Sequence, residues 1–245
     1  MPRFFINPES WDTDDLKLEG DEFHHCTNVL RLQNGDPITI FNGQGIEMET
    51  TINSISKKIA YLTGQKCKQL PSAKTKIALG QAIPKGKNMD LIIEKATELG
   101  VTQIYPIISE RTIIRLNEKE SIKKQEKWQR VAIEACKQSG QNWLPKVNQP
   151  QKISSIIEST FKEFDLVLIA SLQEGAEHFK SILSKIGNTN LESVLIVIGP
   201  EGDLTPSETN KIIEAGAKPM TLGPITLRSE TAAIYAISII AHELF

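Results

Sequence analysis

From about residue 72 onward the chain repeats one pattern: a short apolar run, a polar loop, then a helical period. Apolar runs at 77–83, 104–108, 166–170, 194–198 and 219–222 are too short for helices and suit buried strands. Between them, residues 88–99 place Met89, Ile92, Ile93, Ala96 and Leu99 at spacings of three and four and stop at Gly100, which predicts an amphipathic helix with a glycine stop. Residues 121–138 form a longer pattern of the same kind. Strands alternating with helices predict an α/β domain with a parallel sheet covered on both faces. In such sheets ligands sit beyond the C-terminal ends of the strands. The loops after the apolar runs are therefore where chemistry is expected.

The first 71 residues have a different texture. The run 37–41 is followed by Asn42-Gly43-Gln44-Gly45, then by β-branched runs at 47–55 and 59–66. That is a hairpin signature, with turn residues suited to positive φ. Residues 21–30 are a short helix candidate ended by Asn34-Gly35. Together they predict a small β-barrel domain over 1–71, joined through Gln69-Leu70-Pro71-Ser72 to a second domain over 72–245.

Composition excludes several classes. The chain is 40% hydrophobic, ample for a core. Its longest apolar run, 232–241, is interrupted by Ser238 and falls short of the roughly 18–20 residues of a membrane span. It reads as a buried helix, and no membrane association is expected. The N-terminus has no signal-peptide layout. Cys26, Cys67 and Cys136 are far apart and odd in number, which suggests a reducing, cytoplasmic compartment. No Cys/His cluster has metal-ligand spacing, so no metal is expected; the adjacent His24 and His25 would point about 100° apart on a helix. Net charge is −2, yet residues 84–146 carry 12 Lys+Arg against 8 Asp+Glu. This local excess fits either a polyanion-facing surface or a solvated helix face.

Two loops stand out. After residue 198 comes Gly199-Pro200-Glu201-Gly202-Asp203, where glycines allow close backbone approach to a ligand. Thr205-Pro206-Ser207-Glu208 then opens a helix as a capping box with proline at its first position. The same segment also fits an ordinary strand-to-helix turn. After residue 221 comes Leu222-Gly223-Pro224-Ile225-Thr226-Leu227-Arg228-Ser229-Glu230-Thr231-Ala232, with Ser229 as expected N-cap. Arg228 suits a carboxylate, a phosphate or a developing anion; a salt bridge to Glu201 or Glu230 is the alternative. Pro84-Lys85-Gly86-Lys87 lacks the features of a nucleotide phosphate loop and reads as a basic loop. There is no nucleophile elbow.

Taken together these motifs resemble the 16S ribosomal RNA (uracil-N3)-methyltransferase (RsmE) family of the SPOUT superfamily. The resemblance covers nearly the whole chain. It includes Arg3-Phe4-Phe5, the run from His24 to Arg31, Lys85-Gly86, the run from Glu94 to Val101, Ser109-Glu110-Arg111, Gln138-Ser139-Gly140 and the two loops above. It implies a PUA-like N-terminal domain and a C-terminal α/β domain with a deep trefoil knot. Its knot loops would cradle S-adenosylmethionine at Ala170, Ser171, Ile198, Gly199, Pro200, Glu201, Gly202, Leu222, Gly223, Ile225, Thr226 and Leu227. It further implies a homodimer acting on 16S ribosomal RNA within the assembled small subunit. RNA contacts would come from Arg3, His25, Arg31, Lys85, Lys87 and Gln141. Gln141 departs from the family, which usually has a basic residue there.

Uracil N3 is a poor nucleophile until deprotonated, and its negative charge then spreads to O2 and O4. A fixed cation nearby favours that anion. Arg228 and Arg111 are the expected cations; Glu201 and Glu230 are the expected carboxylates, as base or as arginine partner. Two alternatives carry forward: a SPOUT enzyme of another RNA such as tRNA, and a non-catalytic RNA-binding ribosome-assembly factor on a methyltransferase scaffold.

Overall fold

The computed structural model describes residues 1–112, 116–187 and 191–245. The chain forms two compact units. The first comprises Met1–Ser72 and Ile133–Leu144, the second Ala73–Ala132 and Pro145–Phe245.

In the first unit, β1 (Arg3–Phe5), β2 (Lys17–Leu18), β3 (Pro37–Phe41), β4 (Ile46–Ile55) and β5 (Ala60–Gln69) make one sheet in the order β1-β3-β4-β5-β2. Only β1 pairs parallel, with β3. The two end strands, three and two residues long, do not pair with each other, so hydrogen bonds do not close the barrel. The expected helix at 21–30 is split. α1 (Gly20–His24) runs directly into a π-helical turn at His25–Val29, and it brings Cys26 into the core with Phe4, Ile38, Ile40 and Leu62.

The β3–β4 turn shows why glycine is needed there. Gly43 and Gly45 have φ of 72° and 88°, and the Asn42 side-chain oxygen accepts from the backbone N–H of Gln44 and Ile46 at 2.8 and 3.1 Å. A Cβ on Gly45 would lie 2.6 Å from the Trp143 ring and 2.7 Å from the Leu70 carbonyl. The 140–144 segment therefore packs on this hairpin, through Gly45 N–H to Asn142 O and Leu144 N–H to Gly43 O. Sequence pattern alone assigns that segment to the second domain; packing places it in the first unit.

The second unit is built on β6 (Lys76–Ala82), β7 (Gln103–Ile108), β8 (Lys146–Val147), β9 (Gln151–Lys152), β10 (Leu166–Ala170), β11 (Ser193–Ile198) and β12 (Lys218–Met220). Their order is β12-β10-β11-β6-β7-β8, with β9 also on β7, and every pairing is parallel. α2 (Asn88–Glu98), α3 (Glu118–Ser139, of which 133–139 belong to the first unit), α4 (Ile153–Ser159), α5 (Phe179–Ile186), α6 (Pro206–Glu214) and α7 (Ser229–Leu244) join them. One face of the sheet packs Ala78, Ile107, Val167 and Val197 against Ile156 of α4 and Ile212 of α6. α7 packs on β6 and β11 and also meets α2 and α5. With every strand parallel, the loops following them all emerge along one edge.

Among the described residues no helix is long and apolar enough to cross a membrane, and no cluster of three or more His, Cys, Asp or Glu could hold a metal.

Candidate active site

The loops after β10, β11 and β12, three neighbouring strands, surround a cavity of about 290 Å³. Of the residues expected to hold a cofactor, Ala170, Ser171, Ile198, Gly199, Pro200, Glu201, Leu222, Ile225, Thr226 and Leu227 line it. Gly202 and Gly223 do not. Leu172, Asp203, Arg228, Ser229 and Ala232 complete the lining. Asp203 and Ala232 belong to the two loop motifs singled out from sequence but were not expected at the cofactor; Leu172, which follows Ser171, carried no sequence signal of its own.

Local backbone chemistry shapes the first of these loops. Asp203 N–H donates to Pro200 O at 2.9 Å, closing a turn. The left-handed position is Asp203, with φ 62°, an uncommon conformation that aspartate tolerates better than most residues. Its side-chain oxygen accepts from Leu204 N–H at 2.8 Å. The two glycines differ in what they do. A Cβ at Gly199 would stand 3.0 Å from Asp203 Oδ1, whereas one at Gly202 would meet only Arg111 Cδ, at 3.7 Å. Close approach is required at Gly199 alone.

Two bonds fasten this loop to its neighbours, and a third fastens the start of α6 that follows it. The Arg111 guanidinium donates to Gly202 O. Glu201 accepts from Lys85 N–H at 2.9 Å. Glu208, in the first turn of α6, accepts from Glu110 N–H at 2.9 Å. The loops after β6, β7 and β11 are thus tied to one another. Thr205 caps α6 in a complete capping box with Glu208 and with Pro206 in the first turn.

The charged groups separate by role. Arg228 lines the cavity, is exposed, and forms no ion pair among the described residues, so the bridge to Glu201 or Glu230 considered from sequence is not formed. Arg111 braces Gly202 and is not on the lining. Glu201 is on the lining; Glu230 is not, and its Oε2 is buried without a partner among the described residues. Ser229 corrects the sequence expectation. The N-cap of α7 is Arg228, in extended conformation without a side-chain cap. Ser229 is the first helical residue, and its hydroxyl is taken up by tertiary bonds to Gly199 O and Gln81.

The residues expected to touch RNA fall into two environments. In the first unit, Arg3 bonds Glu47 at 2.5 Å and Asn142 at 2.6 Å and stacks over Phe41. Burial pushes the Glu47 carboxyl up, but the bonds from Arg3 and Asn142 prevail and hold it below its ordinary value. Arg3 is therefore a neutralised anchor. His25 packs edge-on against Phe4 and meets Lys137 Nζ at 3.1 Å; burial, then the Lys137 charge, lower its pKa. Gln141 accepts from Trp143 N–H at 3.0 Å, a bond no lysine or arginine could make. Arg31 is exposed, with φ 55° and no ion pair among the described residues. In the second unit, Lys85 and Lys87 are exposed on the loop after β6.

Comparison with known proteins decides the family. A family model described as RNA methyltransferase domain matches residues 71–241, and one described as RNA methyltransferase PUA domain matches residues 18–63. The ribosomal RNA small subunit methyltransferase E of Bacillus subtilis is 32% identical over 251 residues, covering 99% of this chain and 97% of the relative. The chain belongs to this family of RNA methyltransferases. The Synechocystis protein of the same name is 31% identical over 239 residues, covering 96% of this chain and 76% of its own. The crystal structure of ribosomal RNA small subunit methyltransferase E from Neisseria gonorrhoeae bound to S-adenosyl methionine matches with a TM-score of 0.86 at 31% identity, over 99% of this chain and 98% of that one. The matches place a PUA domain at residues 18–63, followed by a methyltransferase domain at 71–241.

Proposed function

We propose that this chain transfers a methyl group from S-adenosylmethionine to N3 of a uridine in 16S ribosomal RNA, acting on the assembled small subunit as a cytoplasmic homodimer. The observation that carries the reading is the cavity formed by the loops after β10, β11 and β12, with an arginine on its wall that makes no ion pair among the described residues.

The lining fits this cofactor. Leu222, Ile225 and Leu227 offer apolar surface for a purine, and Glu201 and Asp203 offer carboxylates beside a ligand that carries sulfonium and ammonium charges. Gly199 leaves room that a Cβ would fill. When bound, S-adenosylmethionine supplies a methyl group already activated by its sulfonium. What remains for the protein is orientation and charge. The tied loops fix the wall of the cavity. Arg228 has no carboxylate partner among the described residues and supplies a cation for the charge that develops on the uracil oxygens as N3 loses its proton. Glu201 and Asp203 are the carboxylates on the lining available for that proton.

The trefoil knot belongs to the same proposal; the adjacency of β12, β10 and β11 and the convergence of their loops support it. So does the homodimer, with α7 as an interface element: Tyr235 on that helix stands 47% exposed. RNA contacts are assigned to Arg31, Lys85 and Lys87, cations that are exposed and without ion pairs among the described residues.

The test is methylation of methyl-free small subunits, naked 16S RNA and tRNA, read by nucleoside mass spectrometry. 3-Methyluridine in the subunits supports the reading; product in tRNA alone, or another nucleoside, overturns it. A second test addresses Arg31. Its left-handed φ strains arginine and alanine alike but suits glycine. Arg31→Gly should weaken RNA binding by about tenfold, one lost charge-assisted phosphate contact, with no loss of thermal stability and unchanged cofactor affinity. Equal loss of both affinities would remove Arg31 from the RNA surface.

A further inference from the structure

Gln81 is fully buried near the C-terminal end of the central strand β6, registered beside Ile198 of β11. A buried glutamine in a strand whose other residues after the exposed Lys76 are small or apolar needs a reason, because an amide carries four hydrogen-bonding positions to satisfy. Its Nε2 donates to Ala82 O at 2.8 Å and to Ser229 Oγ at 2.9 Å, and its Oε1 has no partner among the described residues. The two acceptors fix which end of the amide faces Ser229. Ser229 Oγ in turn donates to Gly199 O at 2.7 Å. The hydroxyl has one proton, and Gln81 dictates where it goes: because the amide N–H donates to Ser229, the Ser229 proton must point at Gly199.

This relay joins β6 to two elements that meet at the cavity, the loop after β11 and the start of α7. Gly199 O belongs to the peptide linking Gly199 to Pro200, and both residues line the cavity. Ser229 begins α7 and directly follows Arg228. A Cβ on Gly199 would press on Asp203, so the loop packs closely at this residue. We propose that Gln81 and Ser229 are positioning residues: the directed Gln81–Ser229–Gly199 relay sets the orientation of the Gly199–Pro200 peptide and holds it against the start of α7, so that the cofactor wall and Arg228 keep one geometry. The inference rests on the reading that this cavity takes S-adenosylmethionine. Its cost is an unpaired buried Gln81 oxygen, which a purely apolar packing residue would avoid.

The direction of the relay makes it testable apart from packing. Ser229→Ala removes the proton, Ser229→Thr keeps it, and Gln81→Glu preserves shape but reverses the relay at neutral pH. A carboxylate there accepts from Ser229 and pulls the proton away from Gly199. When protonated, its single O–H can donate to Ser229 in place of the amide N–H, but not to Ala82 O at the same time, so the recovery is partial. Calorimetric titration of each full-length variant with S-adenosylmethionine, with thermal unfolding alongside, reads the result. Ser229→Ala should weaken cofactor binding by about tenfold, the size of one directed hydrogen bond. Ser229→Thr should stay within about threefold of the parent. Gln81→Glu should bind weakly at pH 8 and regain affinity as pH falls toward about 6, since burial raises a carboxyl pKa. A pH-dependent gain in Gln81→Glu that is absent from the parent is what a packing role would not produce. If the parent binds the cofactor and Ser229→Ala binds equally well, or Gln81→Glu shows no pH dependence, the relay is overturned. If the parent itself does not bind, the cavity reading falls instead.

Discussion

Replacing Arg228 with alanine should lower the methyl-transfer rate at saturating cofactor by about a hundredfold, the usual cost of roughly 3 kcal/mol for losing one donor to a developing anion. The affinity for S-adenosylmethionine should change far less. The side chain is exposed and forms no hydrogen bond or ion pair among the described residues. It also sits at the N-cap of α7 without capping it. Its removal therefore breaks nothing that holds the fold, and a surface change of this kind moves stability by no more than about 0.5 kcal/mol. Lysine at the same position keeps the charge but not the planar fork, so Arg228→Lys should fall between the two. Single-turnover rates and calorimetry on the same preparations separate the effects. An unaltered rate would remove Arg228 from the chemistry. A loss confined to cofactor affinity would make it part of the cofactor wall.

What could be read from the sequence was what local chemistry decides. The Thr205–Glu208 capping box was legible because both of its bonds span three residues. The run at 166–170 became β10 without change of bounds, because an unbroken apolar run fits a strand buried on both faces. The loops of the cavity were legible for a geometric reason: in a parallel sheet, position after a strand end already says which edge a residue occupies. Features set by distant partners were not legible. Ser229 looked like a cap because the sequence displays only its neighbours, while its hydroxyl is used by Gly199 and by Gln81, 148 positions away. Gln81 itself, inside an apolar run, gave no sign of its role. The 140–144 segment follows a helix that starts in the second unit, yet Gly45 accommodates Trp143 and draws that segment onto the first. β8 and β9, two residues each, are too short to carry a period. Arg3 looked like a free cation; only the fold brings Glu47 and Asn142 to it.

Glu208 is where the site's geometry and the stability of the domain meet, and Glu208→Ala should show both. The carboxylate is 3% exposed. It accepts from Thr205 N–H at 3.0 Å, from the Thr205 hydroxyl at 3.1 Å and from Glu110 N–H at 2.9 Å. Alanine leaves these donors without their acceptor in a place water does not easily reach, which costs about 2–3 kcal/mol. For a chain of this size that corresponds to a drop of about 5–10 °C in Tm. Glutamine retains one accepting oxygen and so keeps either the cap or the brace to the loop after β7, not both; its loss should be about half as large. The kinetic signature should be the reverse of that for Arg228. Glu208 lies outside the cavity lining, but α6 starts directly after the 199–203 loop, so loosening that start loosens the wall that receives the cofactor. Cofactor affinity should fall together with Tm, while the rate at saturation stays within about threefold, because no group facing the developing charge has been lost. A rate that fell at unchanged affinity would mean that Glu208 acts on the reaction itself, and the separation drawn between bracing residues and the arginine on the cavity wall would have to be abandoned.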